Sequence, residues 1–387
     1  MTDSPSPAGP PAEITHLVRE RTEARTRRDW PRADALKAQI EAAGWRVIDR
    51  GNRTSVSPAT PASVDVDGEV RYGAATNVPS LLDAPATVAW TVVVLASEQP
   101  ERVSRLLAAL RAHAPAGTGV VIVANDPSDA QVSALAPEAP DRAPIGGIDP
   151  EVLRTSARLG YAAALNIGLR RAAGELVLLA DATAWATADA MTPLAAALQD
   201  PAVAAAGGFG LYAAAPGPLR PNALRREPAT AGATAGATAG AMTGATAGAM
   251  TGATALEGAW LAFRRSDYRE LGPLDERFVT PAWLDVWWTL RLRAGAEPEG
   301  AEYVETAEVD ESADPTAVEA DPAAVEADPA AVEAAPPEVE MPAPRRAVWL
   351  NLPLERDDVA WPPDRSRLNR RNMYRVLDRF GWREDLD

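Results

Sequence analysis

Three aliphatic runs constrain this chain more than any other feature: TVAWTVVVLAS at 87–97, GVVIVAND at 119–126 and ELVLLAD at 175–181. Each is too short to span a membrane and too uniformly apolar for a strand with one wet face, so each reads as a strand buried on both sides. Between them lie helical patterns: PERVSRLLAALRAH, with Val103, Leu106, Leu107 and Leu110 on one face, and GYAAALNIGLRRAAG. Strands alternating with helices predict an α/β fold, a mostly parallel sheet with helices on both faces. Such sheets bind ligands beyond the carboxyl ends of their strands. Asp126 and Asp181 fall at such ends.

Composition narrows the chemistry. There is no Cys, and His16 and His113 are the only two histidines, so thiolate and His-rich metal sites are excluded and any metal has to be a hard cation held by carboxylates. The net charge is −16, but residues 297–340 carry 15 acidic residues and no Lys or Arg. The rest of the chain is nearly neutral, which argues against strong nucleic-acid binding. The start MTDSPSPAGPPAE has neither a basic region nor an apolar signal core, and no long apolar stretch follows, so a cytoplasmic protein is expected.

Two segments are repetitive. Residues 229–256 are four-residue Ala-Thr-Ala-Gly-like units, and 316–336 are three heptads, TAVEADP, AAVEADP and AAVEAAP. Gly at every fourth position and Pro at every seventh break helices, so both read as loop insertions. The expected organisation is a tail at 1–12, a helical hairpin module at 13–56, a Pro, Ser and Gly rich connector at 57–86 and a main domain at 88–295. An acidic insert at 296–344 follows, and then a strand and helix at 345–387 that complete the main domain.

The module, RDWPRADALKAQIEAAGWRVID with the Arg and Ala run before it, resembles the C-terminal tail of cysteinyl-tRNA synthetases. It carries none of that family's zinc or ATP signatures. Arg19, Arg21, Arg25, Arg27 and Arg28 admit an RNA-facing role, or a solvated face used for packing or self-association through 13–56.

In the main domain, VVIVANDPSD, RLGYAAALNIGLRRAAGELVLLADAT, LEGAWLAFRRSDYRELGPLDERF and AWLDVWWTLRLRAG follow one another in an order that resembles family 2 glycosyltransferases of the GT-A fold. The resemblance implies an inverting transferase that moves a sugar from a nucleotide-diphosphate sugar to a glycan or lipid-linked acceptor, in cell-surface polysaccharide or glycoconjugate synthesis. Its acceptor would then bring it to the membrane. The resemblance assigns Asn125 and Asp126 to the nucleotide base. Gly160, Asn166 and Gly168 would shape the nucleotide pocket, and Asp181 would meet ribose and a divalent cation, Mg2+ or Mn2+. It also points to Asp285, six residues before Arg291, as the base.

The match departs from the family in four places. Thr183 stands where a second acid is expected, Leu284 replaces a Glu beside Asp285, Trp287 stands in place of a further Asp, and LERDDVAW lacks a His. One carboxylate and a hydroxyl bind a hard cation poorly, so weak metal dependence is expected, with Arg158, Arg264 or Arg265 as substitutes for the metal. Glu257, Trp260 and Arg264 are candidates for acceptor or phosphate contacts, and Arg370 and Arg371 for phosphate. The rival reading is a non-catalytic nucleotide-sugar-binding scaffold on the same fold.

Overall fold

Local signals build the N-terminal part. Asp29 caps the second of two helices, α1 (Ala12–Thr26) and α2 (Trp30–Ala42), by accepting a hydrogen bond from the Arg32 N–H, and Pro31 occupies its first turn. Ala24, Ala33 and Leu36 close the seam between the helices. A β-hairpin follows where a single strand was expected, with β1 (Trp45–Arg50) antiparallel to β2 (Arg53–Pro58). Arg21, only 4% exposed, donates two hydrogen bonds of 3.0 and 2.9 Å to Asp49 of β1, and Arg25 also pairs with Asp49. These two arginines are thus committed to an internal ion pair that ties α1 to the hairpin.

The computed structural model describes residues 11–50, 53–58, 60–97, 99–213, 224–226, 250–295, 345–357 and 366–380. Most of the expected tail, the Ala-Gly units before residue 250 and the acidic insert at 296–344 lie outside these residues.

The segment expected to be a connector instead begins the main sheet. VDVDGEVRY forms β3 (Val64–Val66) and β4 (Glu69–Tyr72) around a turn in which Asp67 and Gly68 both have positive φ, 55° and 81°. Asp-Gly between alternating residues is a strong hairpin signal, outweighed at the level of sequence by the surrounding Pro and Ser. Next come β5 (Val88–Ala96), α3 (Pro100–His113), β6 (Thr118–Ala124), α4 (Asp129–Ala134), β7 (Glu151–Thr155), α5 (Tyr161–Leu169) and β8 (Gly174–Ala180). The chain continues through β9 (Ala184–Ala186), α6 (Met191–Leu198), β10 (Val203–Gly207), β11 (Gly210–Ala213), β12 (Leu224–Arg226), β13 (Met250–Ala253) and β14 (Ala255–Leu256). It ends with β15 (Trp260–Arg264), α7 (Arg265–Leu271), α8 (Leu284–Ala294), β16 (Arg346–Leu350), β17 (Leu354–Arg356) and α9 (Arg367–Phe380).

Ten strands form one sheet in the order β13-β16-β10-β15-β8-β5-β6-β7-β4-β3, in which β3, β13 and β15 run against the others. The mostly parallel α/β arrangement is the expected one. The last repeat units are not a free loop, because Met250–Ala253 pair with β16 at the sheet edge. A small sheet, β12-β11-β14, and a ribbon of β9 with β17 stand apart from the large one.

Strand alternation divides the core. Val92, Val94, Leu178, Ala180, Trp260 and Ala262 pack with α3 and α6 on one face. Val93, Val177, Leu179, Leu261 and Phe263 pack with α5, α7, α8 and α9 on the other. A fully buried Val, Leu or Phe contributes about 2 kcal/mol. Gly168 lets α5 lie flat on the sheet, since a Cβ there would come within 2.6 Å of Val93 and 2.9 Å of Val123. Among the described residues no helix is long and apolar enough to cross a membrane.

The hydrogen bonds from Arg21 hold the Asp49 carboxyl well below its ordinary range, at about 2, with Thr54 and Arg25 adding to the effect against partial burial. A depressed carboxyl pKa gives stability that is complete above about pH 4 and lost as pH falls toward 2. Asp49→Asn is expected to abolish that acid dependence and to cost the module about 2 kcal/mol. Amide-exchange protection in residues 12–58 of the full chain measures both effects, and an unchanged acid profile in the variant would refute the assignment.

Candidate functional site

The carboxyl ends of β5 and β8, the turn before β15 and the start of α8 enclose a cleft of about 490 Å³. Its walls are mainly apolar, with Val93, Leu95, Leu165, Leu179, Leu261 and Trp288 among them, while Asp181, Glu257, Asp285, Tyr161, Arg226 and Arg356 supply charge and hydrogen bonding. A mostly apolar concavity with a few convergent polar groups is the usual form of a small-molecule site.

Asp285 lies in the first turn of α8, after Trp283, whose φ is 70°. Its carboxyl accepts hydrogen bonds of 2.8 Å from the N–H of Gly258 and of 2.8 Å from the N–H of Val286. Gly258 leaves room there, since a Cβ would stand a tight 3.1 Å from the Asp285 Cβ and the side chain would have to shift by a few tenths of an ångström. Burial raises the Asp285 pKa to about 7; the two backbone hydrogen bonds oppose the rise and the nearby Glu257 reinforces it. A carboxyl in this state exchanges its proton near neutrality.

Asp181 follows β8. One of its oxygens accepts from the Thr183 N–H at 2.8 Å, and the other lies 3.5 Å from the Tyr161 hydroxyl. Burial, and then the charges of Asp181 and Asp285, push the Tyr161 pKa upward, so its hydroxyl stays a donor. Glu257 accepts two hydrogen bonds from Arg226, at 2.7 and 2.9 Å, and one from Arg356 at 3.3 Å. Of the expected residues, Asp181, Glu257 and Asp285 thus share one cleft.

The other candidates lie elsewhere. Asp126 is exposed beyond β6 with φ 49°, and its N–H donates to Thr155. The Asn125 side chain donates to the Leu159 carbonyl and accepts from the Leu159 N–H, which anchors the loop before α5. Gly160 precedes α5, packed on Val279. Asn166 is fully buried and serves the 274–276 turn. It donates to the Leu274 carbonyl and Glu276, and accepts from the Leu274 N–H and the Tyr268 hydroxyl.

Two contact candidates are corrected. Trp260 is wholly buried on the opposite face and donates to the Ala184 carbonyl, because alternation turns Ala259 and Leu261 to the cleft and the residue between them away. Arg264 donates to the carbonyls of Leu198, Asp200 and Val203, and Arg265 to those of Leu81, Ala84 and Ala172, so both brace the fold. Arg370 and Arg371 are exposed on α9. Tyr161, Arg226 and Arg356 were missed. Tyr161, a polar aromatic at a helix start among small residues, was the readable one of the three.

Among the described residues no three His, Asp or Glu converge to hold a metal ion. With Thr183 two residues after Asp181 and no second carboxylate at that strand end, the described residues do not by themselves make a dedicated Mg2+ or Mn2+ site.

Residues 91–263 match the family model of glycosyl transferase family 2, and residues 8–56 that of the cysteinyl-tRNA ligase anticodon binding domain. The N-terminal part is 45% identical over 49 residues to a cysteine–tRNA ligase of Opitutus terrae, covering 13% of this chain and 11% of that protein. Among solved structures, the mannosyltransferase PcManGT from Pyrobaculum calidifontis, in complex with GDP-Man and Mn2+, aligns over 55% of this chain and 56% of its own at 22% identity and TM-score 0.38. GalNAc-T7 with UDP, GalNAc and Mn2+ aligns over 76% of this chain and 48% of its own at 12% identity and TM-score 0.47. The chain therefore spans about half of these structures and about a tenth of the ligase.

Because Asn166 makes four internal hydrogen bonds and stands outside the cleft, Asn166→Ala is expected to destabilise the chain by about 3 kcal/mol. Urea denaturation reads this directly. An unchanged midpoint with a defect only in ligand binding would return Asn166 to a pocket role.

Proposed function

We propose, taking residues 91–263 as a family 2 glycosyl transferase domain, that the chain transfers a sugar from a nucleotide-diphosphate donor to an acceptor hydroxyl with inversion. The observation that carries the reading is the half-buried Asp285 carboxyl, held by the Gly258 and Val286 N–H groups and raised to about 7 by desolvation, in the same cleft as Asp181. Asp285 takes the proton of the acceptor hydroxyl as its oxygen attacks the anomeric carbon. The bond from that carbon to the diphosphate breaks, and the nucleoside diphosphate leaves with the electron pair. One displacement inverts the centre and needs no covalent enzyme intermediate. Asp181 meets the ribose, Asp126 meets the base from the exposed end of β6, and Tyr161 donates to Asp181.

The acceptor is a glycan or a lipid-linked sugar. Thr183 and Leu284 favour a second reading, a scaffold that binds the donor without transferring it. Protein that binds a nucleotide sugar yet transfers nothing to any acceptor would select that reading.

The base must be unprotonated to act, so a carboxyl pKa raised to about 7 predicts transfer that climbs about tenfold per pH unit below that value and levels off above it. Asp285→Asn is expected to lower transfer about 100-fold or more while donor affinity changes little. Initial rates and equilibrium binding measured on the same preparations separate the two effects. Full-rate transfer in the variant would remove Asp285 from the role.

A further inference from the structure

The strand end that carries Asp181 lacks its second acid, yet a diphosphate in this cleft would still need positive charge as the leaving group forms. Among the described residues the cleft holds two guanidinium groups, both from residues outside the sequence motifs. Arg356 is on β17, in register with Ala184 of β9, and the N–H of the next residue, Asp357, donates to the Thr183 carbonyl at 2.8 Å. Arg356 is therefore anchored beside the very residue that replaces the acid. Its guanidinium stands 4.4 Å over the Phe209 ring, which orients its plane. Asp357 is itself clamped by Arg102 at 2.9 Å and Arg105 at 3.0 Å, which fixes the end of the ribbon to α3. Arg226 enters from β12 of the small sheet, and Glu257 pairs with both arginines.

We propose that Arg226 and Arg356, held by Glu257, form the site for the donor's diphosphate and take the place of a divalent cation. The loss of negative charge at Thr183 and the placement of Arg356 next to it are two halves of one exchange. A carboxylate pair would need a cation to bring a diphosphate near, whereas a single acid flanked by guanidinium groups binds it directly. Arg suits this role because its planar fork donates two parallel hydrogen bonds to a phosphate and keeps its charge at every physiological pH. Glu257 uses Nε and one terminal nitrogen of Arg226 and one terminal nitrogen of Arg356, so each guanidinium retains further N–H groups for phosphate oxygens. The chemical class recognised is a diphosphate ester, and the inference rests on the donor reading given above.

The test is calorimetric titration of the full chain with inorganic pyrophosphate and with a panel of common nucleoside diphosphates, each in EDTA and again with Mn2+. The expected result is binding in EDTA that Mn2+ changes little and that Arg226→Met or Arg356→Met each weakens about 10-fold to 100-fold. Should a Met variant lose its cooperative melting transition, Arg356→Lys and Arg226→Lys replace it. These keep the charge and the pairing with Glu257 but lose the fork, and each is expected to weaken binding several-fold. Binding that requires Mn2+, or that is equal in wild type and variants, overturns the proposal and leaves the donor reading standing. Binding of pyrophosphate that depends on both arginines, with no nucleoside diphosphate bound, keeps the anion site and refutes the donor reading. No binding of either probe refutes both.

Discussion

The hydrogen bond from the Gly258 N–H to the Asp285 carboxyl, 2.8 Å long and partly buried, is the contact on which the cleft depends. It joins the start of α8 to the turn between β14 and β15, and so fixes the distance between the helix and the sheet at the point where the cavity opens. A helix N-terminus favours an anion, and two N–H donors favour it further, yet desolvation is the largest influence and raises the pKa to about 7. The site thus keeps its proton-exchanging group near balance at the expense of the charged form. The absence of a side chain at position 258 eases the approach, since a Cβ would stand 3.1 Å from that of Asp285.

Around that contact the sheet acts as a ruler. Asp181 extends one strand end, and Glu257 and Gly258 precede the antiparallel strand beside it, where Trp260 pairs with Ala180. Successive residues of β15 face opposite ways, so the cleft receives Leu261 and the α3 and α6 side receives Trp260 and Ala262. The small sheet and the β9–β17 ribbon then bring arginines across the mouth of the cleft. A parallel strand end places Asp181, the turn before β15 places Glu257 and the start of α8 places Asp285, while short pairings outside the large sheet place the cations.

What could be read from the sequence followed the range of the interactions involved. The aliphatic runs, the polar residues at their ends and Asp285 at a helix start are local patterns, and the α/β architecture and the shared cleft of Asp181, Glu257 and Asp285 agree with them. Trp260 was misjudged because the facing of a strand turns on one residue of register, which motif order does not determine. Asn125 and Asn166 read as ligands because a polar residue in a motif signals function, whereas burial turned both into braces for nearby loops. Arg226 and Arg356 carried no signal. Arg356 meets Glu257 across 99 residues of chain and Arg226 meets it across 31, with low-complexity sequence between the partners in each case. The hairpin at 64–72 was hidden by its Pro and Ser rich flanks, although its Asp-Gly turn was plain.

The central claim is that desolvation in the cleft, acting against the hydrogen bond from Gly258, makes Asp285 a neutral-pH proton acceptor. It is tested most directly by following the side-chain carboxyl 13C resonance of Asp285 in protein labelled at aspartate, assigned by its loss in Asp285→Asn, across pH 4 to 9. The account predicts a midpoint of about 7. A midpoint near the ordinary aspartate value of about 4 would contradict it.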